Sequence, residues 1–425
     1  MEVHDVFTPG DYPEYTYVER REGEYEKNLK FSLRGNATIV SLSGPSKSGK
    51  SMLLNNVVNQ LGYDLVTVHG SNIDSAGRLW DEVLDELRQP SAREVSEGSI
   101  EEVEKGGKGS IGVSQTKLNL GKSKRGQESW SENAMHGRRG LKQVVESVNL
   151  EEFVLYIDDA HYIDEEHHHD ISETIKDAYE RGMTVCVAFI PYRSDDLTRA
   201  NPDLSGRIES VSQNYWDKDD LEKIGEKGFG NLNRHPSDLL LRNLAIESIG
   251  SPHLMQKLCL ETCRELGVHE AADTMAPLGT DTSDIKSVLR KTGEDMDYST
   301  VFEILCGDTT EGGNERNTYV FKPARTEGDI YDCILRAIAS NPPKLSLDQA
   351  EIVGRIEDAC MSEPPGTSSI TQAISRVDTW ISNKMEESHI FDWEEKRRTL
   401  EIPDPYLIFY LRWSDALDFS PKLHQ

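Results

Sequence analysis

The chain has 425 residues, 36% hydrophobic and 29% charged, enough apolar side chains for a real core and too many for wholesale disorder. Forty-seven Lys and Arg stand against 75 Asp and Glu, a formal net charge of -28, which excludes indiscriminate attraction to nucleic acid or anionic membrane and leaves only local polyanion contacts. Six scattered cysteines without a CxxC pair argue against a disulfide framework and a zinc ribbon, the first residues carry no signal-peptide pattern, and no apolar run reaches about 18 residues, so the expectation is a cytoplasmic protein with no membrane contact.

In chain order, residues 1–30 read as an N-terminal arm. Residues 31–216 alternate short apolar runs with helical patterns, the layout of βα units in a doubly wound α/β parallel sheet. The runs Ala37–Leu42, Asp64–Val68, Phe153–Ile157 and Thr184–Ile190 are β-branched and lack polar alternation, as strands covered on both faces do. Helices are expected over Ser51–Gln60, Arg78–Arg88, Arg139–Val148 and Asp164–Arg181. Residues 91–129, rich in Gly, Ser and Lys, read as an insertion. A helical lid follows over 217–295, with helices near Asp219–Lys227, Pro236–Ser248 and Pro252–Leu266. Residues 296–325, with the polar run Gly307–Asn317, read as a linker. Helices Asp329–Ser340, Ser346–Ala359 and Ser369–Lys384, then a two-stranded wing in FDWEEKRRTLEI, predict a winged helix over 326–425.

Gly44-Pro45-Ser46-Lys47-Ser48-Gly49-Lys50-Ser51 matches G-x-x-x-x-G-K-[ST] between a predicted strand and a predicted helix, where a P-loop must lie. Its glycines let successive N–H groups turn toward phosphate oxygens, and the helix that carries Met52 adds its dipole. Lys50 reaches the β and γ phosphates of ATP in this reading, and Ser51 ligates Mg²⁺. The apolar strand Phe153–Ile157 ends in Asp158 and Asp159, a Walker B pattern: Asp158 joins the metal shell and Asp159 polarises the attacking water, or both only cap the next helix.

With these two motifs, the chain resembles the AAA+ and STAND branch of P-loop ATPases, particularly origin-recognition-like and prokaryotic switch ATPases. The resemblance implies a P-loop NTPase sheet with a helical lid and a C-terminal winged helix, and an ATPase that forms homo-oligomers. Tyr17-Val18-Glu19-Arg20-Arg21, ahead of the loop, is similar to that branch's adenine-contacting segment. Pro191-Tyr192-Arg193 resembles a sensor-1 strand end, which gives Arg193 the γ-phosphate or, alternatively, a surface pairing with Asp195 or Asp196. Arg207 stands where an arginine finger would reach a neighbouring subunit, or else makes an internal salt bridge. Gly250-Ser251-Pro252-His253 looks like the STAND GxP, with His253 where a sensor-2 Arg would stand. Asp159 replaces the Glu of many relatives, a shorter acid that implies slow hydrolysis. Pro403-Asp404-Pro405-Tyr406 through Trp413 is similar to the DPxxxFYLRW close of prokaryotic ATPases, and its aromatic spacing reads as a packing element.

The remaining constellations are weaker. His161, His167, His168 and His169 invite a metal, but three adjacent histidines on a helix point in three directions, so a solvent-exposed helix start is expected. Lys105, Lys108, Lys117, Lys122, Lys124 and Arg125 face only Glu104 across residues 104–125, a stretch suited to DNA or RNA backbone or to simple solvation. The expected recognition helix offers just Arg376 and Lys384, opposed by Asp378, and only the wing Lys396-Arg397-Arg398 is clearly basic. These features predict an ATP- and Mg²⁺-binding switch ATPase acting on assembly or on a separately encoded effector, in a DNA-associated machine or in defence or stress signalling. The alternative is a nucleic-acid-binding regulator holding nucleotide as a structural ligand.

Overall fold

The computed structural model describes all residues except 36, 90–137, 191–192, 194–195, 280, 307–316, 324, 385–390, 418, 420, 422 and 425. The basic insertion, including Lys105–Arg125, lies outside the described residues, as do Pro191, Tyr192, Asp195 and the Lys384 side chain.

After a single helical turn at Val3–Val6, helix α1 (Glu24–Leu33) precedes strand β1 (Ile39–Ser43), followed by α2 (Lys50–Leu61), β2 (Asp64–His69), α3 (Ala76–Glu86) and α4 (Leu141–Ser147). Then come β3 (Phe153–Asp158), α5 (His168–Glu180), β4 (Thr184–Phe189) and β5 (Ile208–Ser212). The five strands form one sheet in the order β2-β3-β4-β1-β5, with β2–β3 and β3–β4 paired in parallel. This is the P-loop NTPase arrangement. The inner strands β1, β3 and β4 are buried along nearly their whole length, as their unbroken apolar runs predict, while the edge strands β2 and β5 expose part of theirs. Helix α5 begins later than expected, at His168, because Glu165–His167 forms a tighter turn first.

Helices α6 (Lys218–Asn231), α7 (Asp238–Glu247) and α8 (Pro252–Glu265) follow. Ser237 and Ser251 cap the last two by accepting from Leu240 and Leu254 N–H groups, and Pro252 needs no donor at its first-turn position. Helices α9 (Thr282–Glu294) and α10 (Ser299–Leu305) come next, so the stretch expected as a linker contains a helix whose Val301, Ile304 and Leu305 are buried. The last part holds α11 (Ile330–Ala339), β6 (Ser346–Asp348), α12 (Gln349–Ala359), α13 (Thr367–Lys384), β7 (Asp392–Glu394), β8 (Thr399–Glu401) and α14 (Pro405–Trp413). Ser346–Asp348, expected as the start of a helix, is a strand that pairs antiparallel with β8, giving a three-stranded sheet β6-β8-β7. Leu347, Trp393 and Leu400 point to one buried face there, the period-two alternation that overrides a helical start.

The chain divides into two compact units. Unit one contains residues 1–29, 43–56 and 211–425; unit two contains 30–42 and 57–210. Each has its own apolar core, the first including Phe7, Leu240, Leu258, Ile334 and Phe409, the second Ile39, Leu79, Leu155, Ile175 and Val185. No helix among the described residues is long and apolar enough to cross a membrane.

Candidate nucleotide site

The loop Gly44–Ser51 belongs to unit one. Gly49 has φ +91° and Lys47 φ +58°, so the chain turns twice through conformations that L-residues avoid. Ser48 N–H donates to Pro45 carbonyl (3.3 Å), whereas the N–H groups of Ser46, Lys47 and Gly49 have no protein acceptor among the described residues. The buried Lys50 curls over the loop, its Nζ donating to the carbonyls of Gly44 (3.1 Å) and Pro45 (3.0 Å). Main-chain donors and an ammonium group at the start of a twelve-residue helix are the donor set that phosphate oxygens require, and the residues present fit a nucleoside triphosphate. Ser51 and Met52, in the first turn of α2, are half-buried.

Neighbouring segments grip this loop. Gln213 donates its N–H to Ser43 carbonyl (2.7 Å) and accepts from Ser48 Oγ (3.3 Å), and Trp216 Nε1 donates to Ser48 carbonyl (2.8 Å). A Cβ on Gly44 would lie 3.0 Å from Gln213 Cβ and 3.2 Å from its carbonyl oxygen, so a larger residue there must push the clamp back. Sequence reasoning missed Gln213 and Trp216, which carry no motif.

The acids of β3 lie in unit two. Tyr156 and Asp158, two apart on the strand, share a face, and the Tyr156 hydroxyl donates to Asp158 Oδ1 at 2.7 Å. Asp158 Oδ1 also accepts the Asp159 N–H at 2.9 Å, which fixes the carboxylate at the strand end. Asp159 is left-handed, φ 50° and ψ 44°, the kind of strained non-glycine that clusters at functional sites. Gly70 makes this possible: a Cβ there would sit 2.4 Å from the Asp159 carbonyl oxygen.

Arg193 donates from Nη1 to the His161 carbonyl (3.0 Å). Arg207 pairs with Glu180 at 3.0 Å on the surface of unit two, near the Tyr179 ring. Tyr17 stacks on Tyr12 and donates to Glu26 Oε1 (2.6 Å), while Val18 is buried in the core of unit one. Arg20, in the same segment, lies between the rings of Tyr25 (4.7 Å) and Trp216 (4.6 Å). Pro252 Cγ lies 4.0 Å from where a Gly49 Cβ would stand. His253 Nδ1 is 2.5 Å from the Tyr406 hydroxyl, and burial followed by the charges of Lys47 and Lys257 holds its pKa below the usual 6.5.

His161 corrects the expectation of an exposed histidine cluster: it is 7% exposed, because its turn is folded between the end of β3 and Arg193. His167, His168 and His169 diverge, toward Glu166, the Ile163 carbonyl and the Ala200 carbonyl respectively. Lys396, Arg397 and Arg398, expected as a wing, are exposed, with Arg397 3.5 Å from Glu394. On α13, burial and then Asp392 push the Asp378 carboxyl up to about 6.

The sheet order and the glycine-rich loop define a P-loop NTPase fold. Residues 33–192 match the family model described as "AAA domain". No curated protein matches the chain. Among solved structures, the chain is similar to the RuvB Holliday junction branch migration motor of Thermotoga maritima at 12% identity and TM-score 0.43, covering 91% of this chain and 92% of that one. It is also similar to Cdc6p from Pyrobaculum aerophilum, at 12% identity and 0.42 over 96% and 97%, and to the Walker-type ATPase paby2304 of Pyrococcus abyssi, at 17% and 0.46 over 93% and 97%. Likenesses of this size carry no residue's role across to this chain.

Proposed function

We propose that the protein is an ATP-binding, slowly hydrolysing switch ATPase of the AAA+/STAND kind, whose nucleotide state controls its own assembly or a separate effector. The observation that carries this reading is the loop Gly44–Ser51, where the N–H groups of Ser46, Lys47 and Gly49 meet no acceptor among the described residues and the Lys50 ammonium lies above them. Lys50 neutralises the β and γ phosphates, Ser51 and Asp158 hold Mg²⁺, and Asp159 orients the attacking water. When bound, Mg²⁺ supplies charge neutralisation on the phosphate oxygens. Tyr17 and Val18 of the arm and Pro252 and His253 of the lid lie along the nucleotide, and Arg193 senses the γ-phosphate.

Arg207 serves as an inter-subunit finger once its partner Glu180 is exchanged for the neighbour's phosphate, which makes hydrolysis depend on homo-oligomers. The order of three helices and a three-stranded antiparallel sheet after residue 329 supports a winged helix. Its acidic surroundings at Asp378, Asp392 and Glu401 favour docking of protein over base readout. DNA contact, if made, falls to Lys105–Arg125 and to Lys396–Arg398.

Phosphate release by the wild type and by Asp159→Ala, each with and without DNA, tests the reading. A rate that Asp159→Ala lowers at least tenfold is expected. Equal background rates in all four samples would instead favour a regulator that keeps nucleotide as a structural ligand. Retained ATP binding by Lys50→Ala would remove the site.

A further inference from the structure

Lys47 is an L-residue held at φ +58° in the middle of the phosphate loop, a conformation that normally belongs to glycine and persists only where surroundings impose it. Its side chain is fixed from α14. Lys47 Nζ lies 2.9 Å from Asp404 Oδ1 and 4.4 Å from the centroid of the Tyr406 ring, so one ammonium group engages a carboxylate and an aromatic face together.

Both anchors are themselves held. Asp404 Oδ2 accepts from the Tyr298 hydroxyl at 2.5 Å, and Asp404 Oδ1 caps α14 through the Tyr406 N–H at 3.1 Å. The Tyr406 hydroxyl in turn meets His253 Nδ1 at 2.5 Å on the lid helix α8. One segment, Asp404–Tyr406, thus holds the loop side chain, and two further segments of unit one, at Tyr298 and His253, hold that segment. A partly exposed ion pair contributes little by itself, but here it bears on a backbone that would otherwise relax.

We propose that Asp404 and Tyr406 are positioning residues of the phosphate loop, acting through Lys47 to hold its left-handed turn and so to aim the loop's N–H groups at phosphate. This rests on the reading above that the loop binds ATP. It gives the C-terminal Asp404-Pro405-Tyr406 segment a direct hold on nucleotide affinity, which a packing element alone would lack.

The test is a double-mutant cycle in the full chain, read as the dissociation constant for labelled ATP with Mg²⁺. Serine caps a helix as well as aspartate but is too short to reach Lys47. Asp404→Ser therefore weakens ATP binding about five- to thirtyfold, the range set by the left-handed penalty. In a Lys47→Gly background the turn is free of that penalty, and there Asp404→Ser changes affinity by less than twofold, whatever affinity that background has. Asp404→Asn, which keeps cap and shape but not charge, gives an intermediate loss and stands in if the serine variant does not fold.

A loss of the same size in both backgrounds would overturn the proposal, because Asp404 would then act other than through Lys47. So would unchanged affinity. Tighter binding would overturn it too, showing that the carboxylate only repels phosphate. Wild-type and Lys50→Ala controls separate these outcomes from failure of the ATP reading itself: if both bind ATP alike, the loop is not the nucleotide site and the cycle is moot as well as the reading.

Discussion

Removing the guanidinium of Arg412 should be among the most damaging single changes in unit one. Arg412 and Glu247 are both fully buried, with Nη2 to Oε1 at 2.6 Å and Nε to Oε2 at 2.8 Å, a two-pronged pair. Arg412 also donates to the carbonyls of Ala339 and Ser340 and to Asn341 Oδ1, and Trp413 Nε1 donates to Glu247 Oε2 at 2.7 Å. Arg412→Met leaves a buried carboxylate with only Trp413 and takes the Arg412 donor from the Ala339 carbonyl, while the Ser340 carbonyl keeps Arg355. Breaking a buried pair in this way costs about 4 kcal/mol, which in a unit of this size lowers the melting temperature by about 10 °C. Glu247→Leu should cost a similar amount, since it strands the guanidinium. The double variant should cost less than either single change and far less than the roughly 8 kcal/mol of the two added, because it leaves no unpaired charge in the core. Calorimetric melting of the four proteins decides it. Additive losses, or an Arg412→Met loss below about 1 kcal/mol, would refute the claim that these residues stabilise one another.

Gly70→Ala should act at a distance from any phosphate: its Cβ meets the Asp159 carbonyl at 2.4 Å, so the strained Asp159 turn must shift. About 1–3 kcal/mol of stability is lost, together with most ATP turnover but with ATP affinity largely kept, as phosphate-release and binding assays would read. Asp378→Asn should stabilise the protein at pH 7. The native carboxyl is raised from 3.8 to about 6, so the native state binds its proton more readily than the unfolded chain does. The stability this gives is full below 3.8 and is lost as pH rises through about 6. At pH 7 the charge is therefore carried at a cost, about 1 kcal/mol after solvent screening of a half-exposed group. Melting curves should show the variant ahead by about 3 °C at pH 7 and level with the wild type near pH 3.5.

Much of the architecture was legible locally. The β-branched runs that became β1, β3 and β4 have no polar alternation, and burial on both faces is the only way to satisfy them. The phosphate loop announces itself because its glycines and lysine must occupy fixed offsets between a strand and a helix. Ser346–Asp348 was not legible, since three residues of alternating burial become a strand only when β8 lies beside them. His161 likewise looked exposed in a polar run and is buried by a turn that the sequence does not signal.

The sequence by itself determined the strands, the phosphate loop and the paired acids, because each depends on the chemistry of residues within one short segment. Tertiary structure alone decided which distant side chains complete them. Asp404 is 357 positions from Lys47, Gln213 is 165 from Ser48, and Arg412 is 165 from Glu247. Such pairs form when packing removes alternatives for long, flexible side chains, and no local propensity encodes that.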